Sequence, residues 1–163
     1  GHFVALFKKE GEDLTSSARR PSARLKVPDE LKEFMDNTGF CYNPEYINIR
    51  DSRVYLTSPY MKEEKGLRII RNGLLLGELK KNRFEPSQAF AMALTMEQFT
   101  NSLNLPVSDE RVVRYLKGET LDVCDCDIKS GWTLVCVDGY PLGWGKNSGG
   151  QLKNKYLAGW RWM

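Results

Sequence analysis

The sequence predicts an α+β chain, built as two small β-rich modules joined by helices. Three observations carry that prediction. Asn72–Lys80 and Asp138–Lys146 share the pattern [Asn/Asp]-Gly-x-x-Leu-Gly-x-x-Lys, and an apolar strand-like run precedes each. Its physical content is a strand, a tight turn, and a second strand whose inner glycine permits a bulge or a close approach. Apolar and polar residues alternate on both sides of Asp51-Ser52, the mark of a hairpin. Between the two patterned stretches, residues 87–117 show helix spacing and helix caps instead.

In chain order, Gly1–Lys9 (G-H-F-V-A-L-F-K-K) reads as a strand. A chain that opens on a strand is expected to be a piece of a longer protein. Residues 10–27 are poor in apolar side chains, carry Pro21, Arg19, Arg20, Arg24 and Lys26, and read as a linker. Pro28–Asn37 is a short helix. Pro28 suits a first turn, Asp29 and Glu30 suit the positive end of the dipole, and Leu31, Phe34 and Met35 form its apolar face. Tyr46–Arg50 and Arg53–Thr57 are the two strands of the first hairpin, and Gly66 opens a third sheet segment that runs to Pro86. Ser87–Leu105 reads as helical, with Phe90, Ala91, Leu94, Phe99 and Leu103 in phase and Thr95-x-x-Gln98 as a capping box that restarts it. Ser108–Lys117 is a further short helix with Val112, Val113 and Leu116 facing inward and Gly118 as its stop. Trp132–Val137 is a buried strand, in which Trp132 is the expected core tryptophan, and Asp138-Gly139 is its turn.

Composition narrows the function. The 163 residues are 41% hydrophobic, enough to bury a core, and the net charge is only +3. Charge is unevenly placed. Residues 109–127 hold six acids, whereas Gly139–Met163 holds none and carries Lys146, Lys153, Lys155 and Arg161 among Tyr140, Trp144, Tyr156, Trp160 and Trp162. No apolar run approaches the length of a membrane span, and no signal peptide is visible. Cys124-Asp125-Cys126 is too short for a zinc knuckle, and His2 is the single histidine, so no metal is expected. Cys41, Cys124, Cys126 and Cys136 are expected as free thiols in a reducing compartment.

No phosphate loop, dinucleotide fingerprint or paired carboxylates are visible, and Cys136 lies in an apolar strand. The residues therefore point to binding rather than catalysis. Lys146, Lys153 and Lys155, with Lys80, Lys81 and Arg83, suit phosphates. Backbone amides at Gly143, Gly145, Gly149 and Gly150 suit a phosphate or a base edge, and Trp144 or Tyr156 suits stacking on an unpaired base. An alternative stays open at this point: a glycine-rich turn region packed by its own tryptophans.

The stretch W-T-L-V-C-V-D-G-Y-P-L-G-W-G-K-N-S-G-G-Q-L-K-N-K-Y resembles the C-terminal PUA-like domain of the RsmF-type Nol/Nop/Sun RNA 5-methylcytosine methyltransferases. The segment G-L-R-I-I-R-N-G-L-L-L-G-E-L-K-K-N-R-F-E-P-S-Q-A-F-A-M-A-L resembles the domain that precedes it there. The resemblance implies a PUA-like β-barrel over residues 106–163, an intermediate α+β domain over 28–105, and the last strand of a methyltransferase domain at 1–9. It also implies an RNA partner (rRNA or tRNA), a cytoplasmic monomer, and S-adenosylmethionine bound by the parent protein with no cofactor in this chain. No cysteine here follows Pro or Thr as the family's catalytic cysteines do, so no catalytic residue is carried over. The implied RNA-binding role falls on Gly139, Leu142, Gly143, Trp144, Gly145, Lys146, Gly150, Leu152, Lys153, Asn154 and Tyr156, of which Leu142 and Leu152 suit the core. The rival expectation is a structural or protein-interaction module packing against the methyltransferase domain or an assembly partner.

Overall fold

The computed structural model describes residues 27–59, 71 and 73–163. The expected strand at 1–9, most of the linker at 10–27 and the start of the segment opened by Gly66 lie outside the described residues. Helix α1 (Asp29–Met35) leads into an antiparallel sheet in the order β1 (Ile47–Arg50), β2 (Arg53–Leu56), β3 (Leu74–Lys80) and β4 (Arg83–Pro86). The Asp51-Ser52 hairpin is present, with both residues at positive φ (48° and 68°), as a two-residue turn of matching twist requires. Helix α2 (Gln88–Ala91) then crosses to a second sheet, which also takes in helix α3 (Glu110–Leu116) on its flank. Its strand order is β5 (Ser102–Leu105), β7 (Gly131–Val137), β8 (Tyr140–Ser148), β9 (Gln151–Asn154) and β6 (Leu121–Asp122). Only β5–β7 is a parallel pair, and the sheet curls into a half-barrel.

The two copies of the repeated pattern adopt the same backbone device. On β3, Gly77 pairs with Val54 and Leu75 with Tyr55, so Leu76 is the extra residue of a bulge. On β8, Gly143 pairs with Val135 and Pro141 with Cys136, so Leu142 is the extra residue. Each bulge directly precedes the second glycine of its pattern. A Cβ on Gly77 would lie 2.2 Å from the Glu85 carbonyl oxygen, and one on Gly143 would lie 2.7 Å from the Tyr115 hydroxyl. The glycine thus permits a close approach that the bulge creates.

Both faces of β7 are buried, which explains its unbroken apolar run. Leu134 and Cys136 join Trp144 in a core shared with Leu31, Phe34 and Phe90 of the first module. Val135 faces a second core with Leu103, Tyr115 and Leu152. The two β-rich modules are present as expected, and a strand of the second supplies part of the core of the first.

Three expectations change. Ser87–Leu105 is not one helix. The Ser87 hydroxyl caps α2 by accepting the Phe90 N–H at 3.0 Å, the Gln98 side chain accepts the Thr95 N–H at 2.8 Å to start a single 3-10 turn (Met96–Gln98), and the chain then extends as β5. Leu103 and Leu105 are buried at a spacing of two because parallel pairing with β7 outweighs the helical phase. β5 is an edge strand of the second sheet. On α3, Val112 and Tyr115 are buried and Val113 is exposed. Finally Trp144, not Trp132, is the deepest tryptophan, at 1% exposure.

Candidate nucleic-acid interface

The site is built by the β8–β9 hairpin. Gly149 and Gly150, at φ 58° and 77°, close it with Ser148 opposite Gln151. That register places Lys146 opposite Lys153, while Lys146 also lies opposite Trp132 on β7. A row of Trp132, Lys146 and Lys153 results. Trp132 is half-buried, and both lysines are exposed. The Lys146 ammonium sits 5.9 Å from the centre of the Trp132 ring, a cation–π distance. Lys155 follows two residues after Lys153 and is also exposed. Among the described residues, none of these three lysines has an ion-pair partner. Like charges facing each other across an antiparallel pair are unfavourable, so the row stands at a cost to the fold.

The other candidate cations are placed differently. Lys80 pairs with Glu78, which Arg53 also contacts at 3.3 Å, and Arg83 pairs with Glu85 at 2.9 Å. Lys80 and Arg53 together hold the Glu78 carboxyl below the usual carboxylate range. Lys81 is exposed in the β3–β4 turn, on the other sheet from the lysine row.

Several predicted contact residues turn out to be internal. The Trp144 ring packs edge-on against Phe99 (4.9 Å between centroids) and Phe34 (5.7 Å), and its indole N–H donates to the Ser87 carbonyl at 2.9 Å. It offers no face to a base, which corrects the expectation of stacking there. Gly143 and Gly145 are buried as well, Gly143 against Gln88 and the Tyr115 hydroxyl, Gly145 against Leu152. They let neighbours approach and do not present amides to a ligand. The Asn154 amide donates to the carbonyls of Tyr115 (2.7 Å) and Glu119 (3.1 Å), tying β9 to the end of α3. The Gly150 carbonyl accepts from the Val123 N–H at 2.8 Å, and the Cys124 sulfur crowds its α-carbon, so of the turn pair Gly149 alone has open space beside it. Tyr156 is half-buried, with its ring 5.4 Å from Tyr115 and 6.2 Å from Trp160.

Two model matches decide the family. The Methyltransferase RsmF PUA domain matches residues 102–162, and the RsmF rRNA methyltransferase first C-terminal domain matches residues 33–94. The chain belongs to the RsmF family. It is 29% identical over 135 residues to the Ribosomal RNA small subunit methyltransferase F of Shewanella baltica (strain OS223), covering 81% of this chain and 28% of that protein. The protein of the same name from Shewanella oneidensis is 30% identical over 122 residues, covering 74% of this chain and 25% of its own. The chain thus spans about a quarter of the length of the curated relatives it matches. The PUA match begins at Ser102, where β5 enters the second sheet.

Within this RsmF PUA domain, sequence reasoning missed two things. Tyr115, whose hydroxyl donates to the Trp144 carbonyl at 2.9 Å, is the main side chain α3 contributes to the core, and burial raises its pKa far above the ordinary value. The role of Trp132 as the floor under Lys146 was also missed, and only the β7–β8 register reveals it. Burial raises the Cys136 thiol to about 11, so it is a core group and not a thiolate at neutral pH. Among the described residues, no helix is long and apolar enough to cross a membrane.

Proposed function

We propose that this RsmF-family region binds structured small-subunit rRNA and presents it to a methyltransferase domain outside these residues. The reaction assigned to that domain is transfer of a methyl group from S-adenosylmethionine to carbon 5 of a cytosine, in the cytoplasm, with the protein acting as a monomer. The observation that carries the RNA reading is the Trp132–Lys146–Lys153 row. Two lysines held opposite one another without a carboxylate form a ready site for backbone phosphates. Lys155 extends the row, and Gly149 leaves room for a strand beside the turn.

The methyl donor does not fit here. The glycine turns at Gly139 and Gly149-Gly150 lie within antiparallel hairpins, not between a strand and a helix where a nucleotide cradle forms. The rival reading, a purely structural module, is favoured by the burial of Trp144, Gly143 and Gly145. It leaves the opposed lysines without a purpose.

The test is the salt dependence of binding of the full 163-residue chain to fragments of small-subunit rRNA. Replacing Lys146, Lys153 and Lys155 together with Ala is expected to reduce the log–log salt slope by about 3, one for each cation removed. Undetectable binding at low salt, or an unchanged slope in a variant with unchanged circular dichroism, would reject the reading.

A further inference from the structure

The β8–β9 hairpin runs further than its counterpart in the first sheet. The β3–β4 hairpin turns directly after its Lys80–Arg83 pair, whereas β8–β9 passes its Lys146–Lys153 pair and adds Ser148 opposite Gln151 before turning. Directly opposed residues of an antiparallel pair share a face, and so do residues two apart on one strand. Ser148 and Gln151 therefore lie on the face that carries Lys146 and Lys153, about 7 Å nearer the turn. Gln151 is also opposite Asp122 on β6. A second row, Ser148–Gln151–Asp122, thus runs beside the lysine row, and all three of its residues are exposed. Among the described residues, neither the Ser148 hydroxyl nor the Gln151 amide has a hydrogen-bond partner. The Asp122 carboxylate accepts the Cys124 N–H at 3.0 Å, and Cys124 holds its pKa below the ordinary value. Next to Ser148, Gly149 leaves open space where a Cβ would stand.

The two rows differ in charge, and that difference orients an RNA strand on the face. Lys146 and Lys153 attract phosphates. The second row holds no cation and ends in a carboxylate, so a phosphate is disfavoured there. What a nucleotide carries directly beside its phosphate is the ribose. The ribose 2′-hydroxyl both donates and accepts, and so do a serine hydroxyl and a glutamine amide. We propose that Ser148 and Gln151 hydrogen-bond the ribose 2′-hydroxyl of the strand whose phosphates lie on Lys146 and Lys153, and so set the preference of this face for RNA. The inference rests on the RNA-binding reading above and adds to it the pair that recognises the sugar. Short Ser148, with Gly149 beside it, lets the sugar come close, and the longer Gln151 reaches it from the opposite strand.

The test measures binding of the full 163-residue chain to an RNA hairpin and to the same hairpin built with 2′-fluoro riboses, which keeps the RNA shape and removes the hydroxyl. The unmodified chain is expected to bind the hydroxyl form about tenfold more tightly. Ser148→Ala and Gln151→Ala are each expected to shrink that ratio about threefold, and the double variant to abolish it. The salt slope is expected to stay as it was, because no cation is removed. The inference is overturned, with RNA binding left standing, if the unmodified chain binds both hairpins equally or if the double variant keeps the ratio. It is overturned as well if the double variant loses equal affinity for both hairpins, which would place the pair on a base edge. Failure of the unmodified chain to bind either hairpin at low salt would overturn the RNA reading itself.

Discussion

The β3–β4 hairpin and the β8–β9 hairpin end in the same arrangement, and the chain uses them for opposite purposes. In both, a bulge precedes a glycine, and a lysine follows that glycine by three residues: Gly77 and Lys80 in the first, Gly143 and Lys146 in the second. In both, the lysine faces a second cation across the next turn, Arg83 in one and Lys153 in the other. The difference lies two residues away. The first copy has Glu78 and Glu85 beside its cations, and both ion pairs form. The second copy has Trp144 in the place of Glu78 and Lys155 at the position that matches Glu85. One scaffold therefore supports a charge-balanced hairpin and a charge-exposed one. The substitution that removes the balancing carboxylate also inserts Trp144 into the shared core.

The largest expected effect follows from that insertion. Trp144→Ala empties a site walled by Phe34, Phe90 and Phe99 and removes the indole hydrogen bond to the Ser87 carbonyl, and it is expected to cost about 3–5 kcal/mol in denaturant unfolding. Glu78→Ala, at the matching position of the first copy, touches only exposed ion pairs and is expected to cost less than 1 kcal/mol. Equal losses would mean that Trp144 is not the link between the modules. Next come the two bulge glycines. Gly77→Ala drives a Cβ into the Glu85 carbonyl and the Phe84 ring, whereas Gly143→Ala meets the ends of the Gln88 and Tyr115 side chains. Both are expected to destabilise by about 1–3 kcal/mol, with Gly77→Ala the worse because backbone yields less than a side-chain tip.

How much of this was legible beforehand follows from the kind of signal each residue carries. The repeated Asn/Asp-Gly-x-x-Leu-Gly pattern was legible because bulge and turn chemistry is local, and the Asp51-Ser52 hairpin was legible for the same reason. The helix read over Ser87–Leu105 failed at Leu103 and Leu105. Their partners on β7 lie some thirty residues on, and pairing with them is a tertiary effect that spacing cannot reveal. At the candidate site, Lys146 and Lys153 were named from the sequence as phosphate contacts, and both are exposed, yet their opposition across two strands depends on register. Trp144 was misjudged as exposed because an aromatic next to glycines reads the same whether the glycines face a ligand or a neighbouring strand. Only the depth of the Phe34–Phe99 pocket distinguishes the two cases.

The comparison can also be broken by moving charge between the copies. Lys155→Glu gives Lys153 the carboxylate two residues on that Arg83 has in Glu85. It is expected to raise stability by a few tenths of a kcal/mol, about the value of an exposed pair, and to weaken rRNA binding about tenfold, read as unfolding midpoint and as affinity at fixed salt. Gains in both stability and affinity would show that the lysine row is not held for a polyanion.

The smallest effect concerns the balanced hairpin. Lys80 and then Arg53 lower the Glu78 pKa from its ordinary 4.5. A carboxyl whose folded pKa is depressed contributes stability at pH above 4.5, and that contribution is lost as pH falls through the folded value. The unmodified chain is therefore expected to lose this increment on acidification below pH 4.5, while Glu78→Gln lacks it at neutral pH and shows a flatter acid limb. The difference is about a few tenths of a kcal/mol, since the pair is exposed, and added salt is expected to shrink it. The lysine row has no carboxylate to titrate, so Lys146→Gln should leave the acid limb unchanged. A matching change in both variants would mean that the two hairpins are not charge-balanced differently after all.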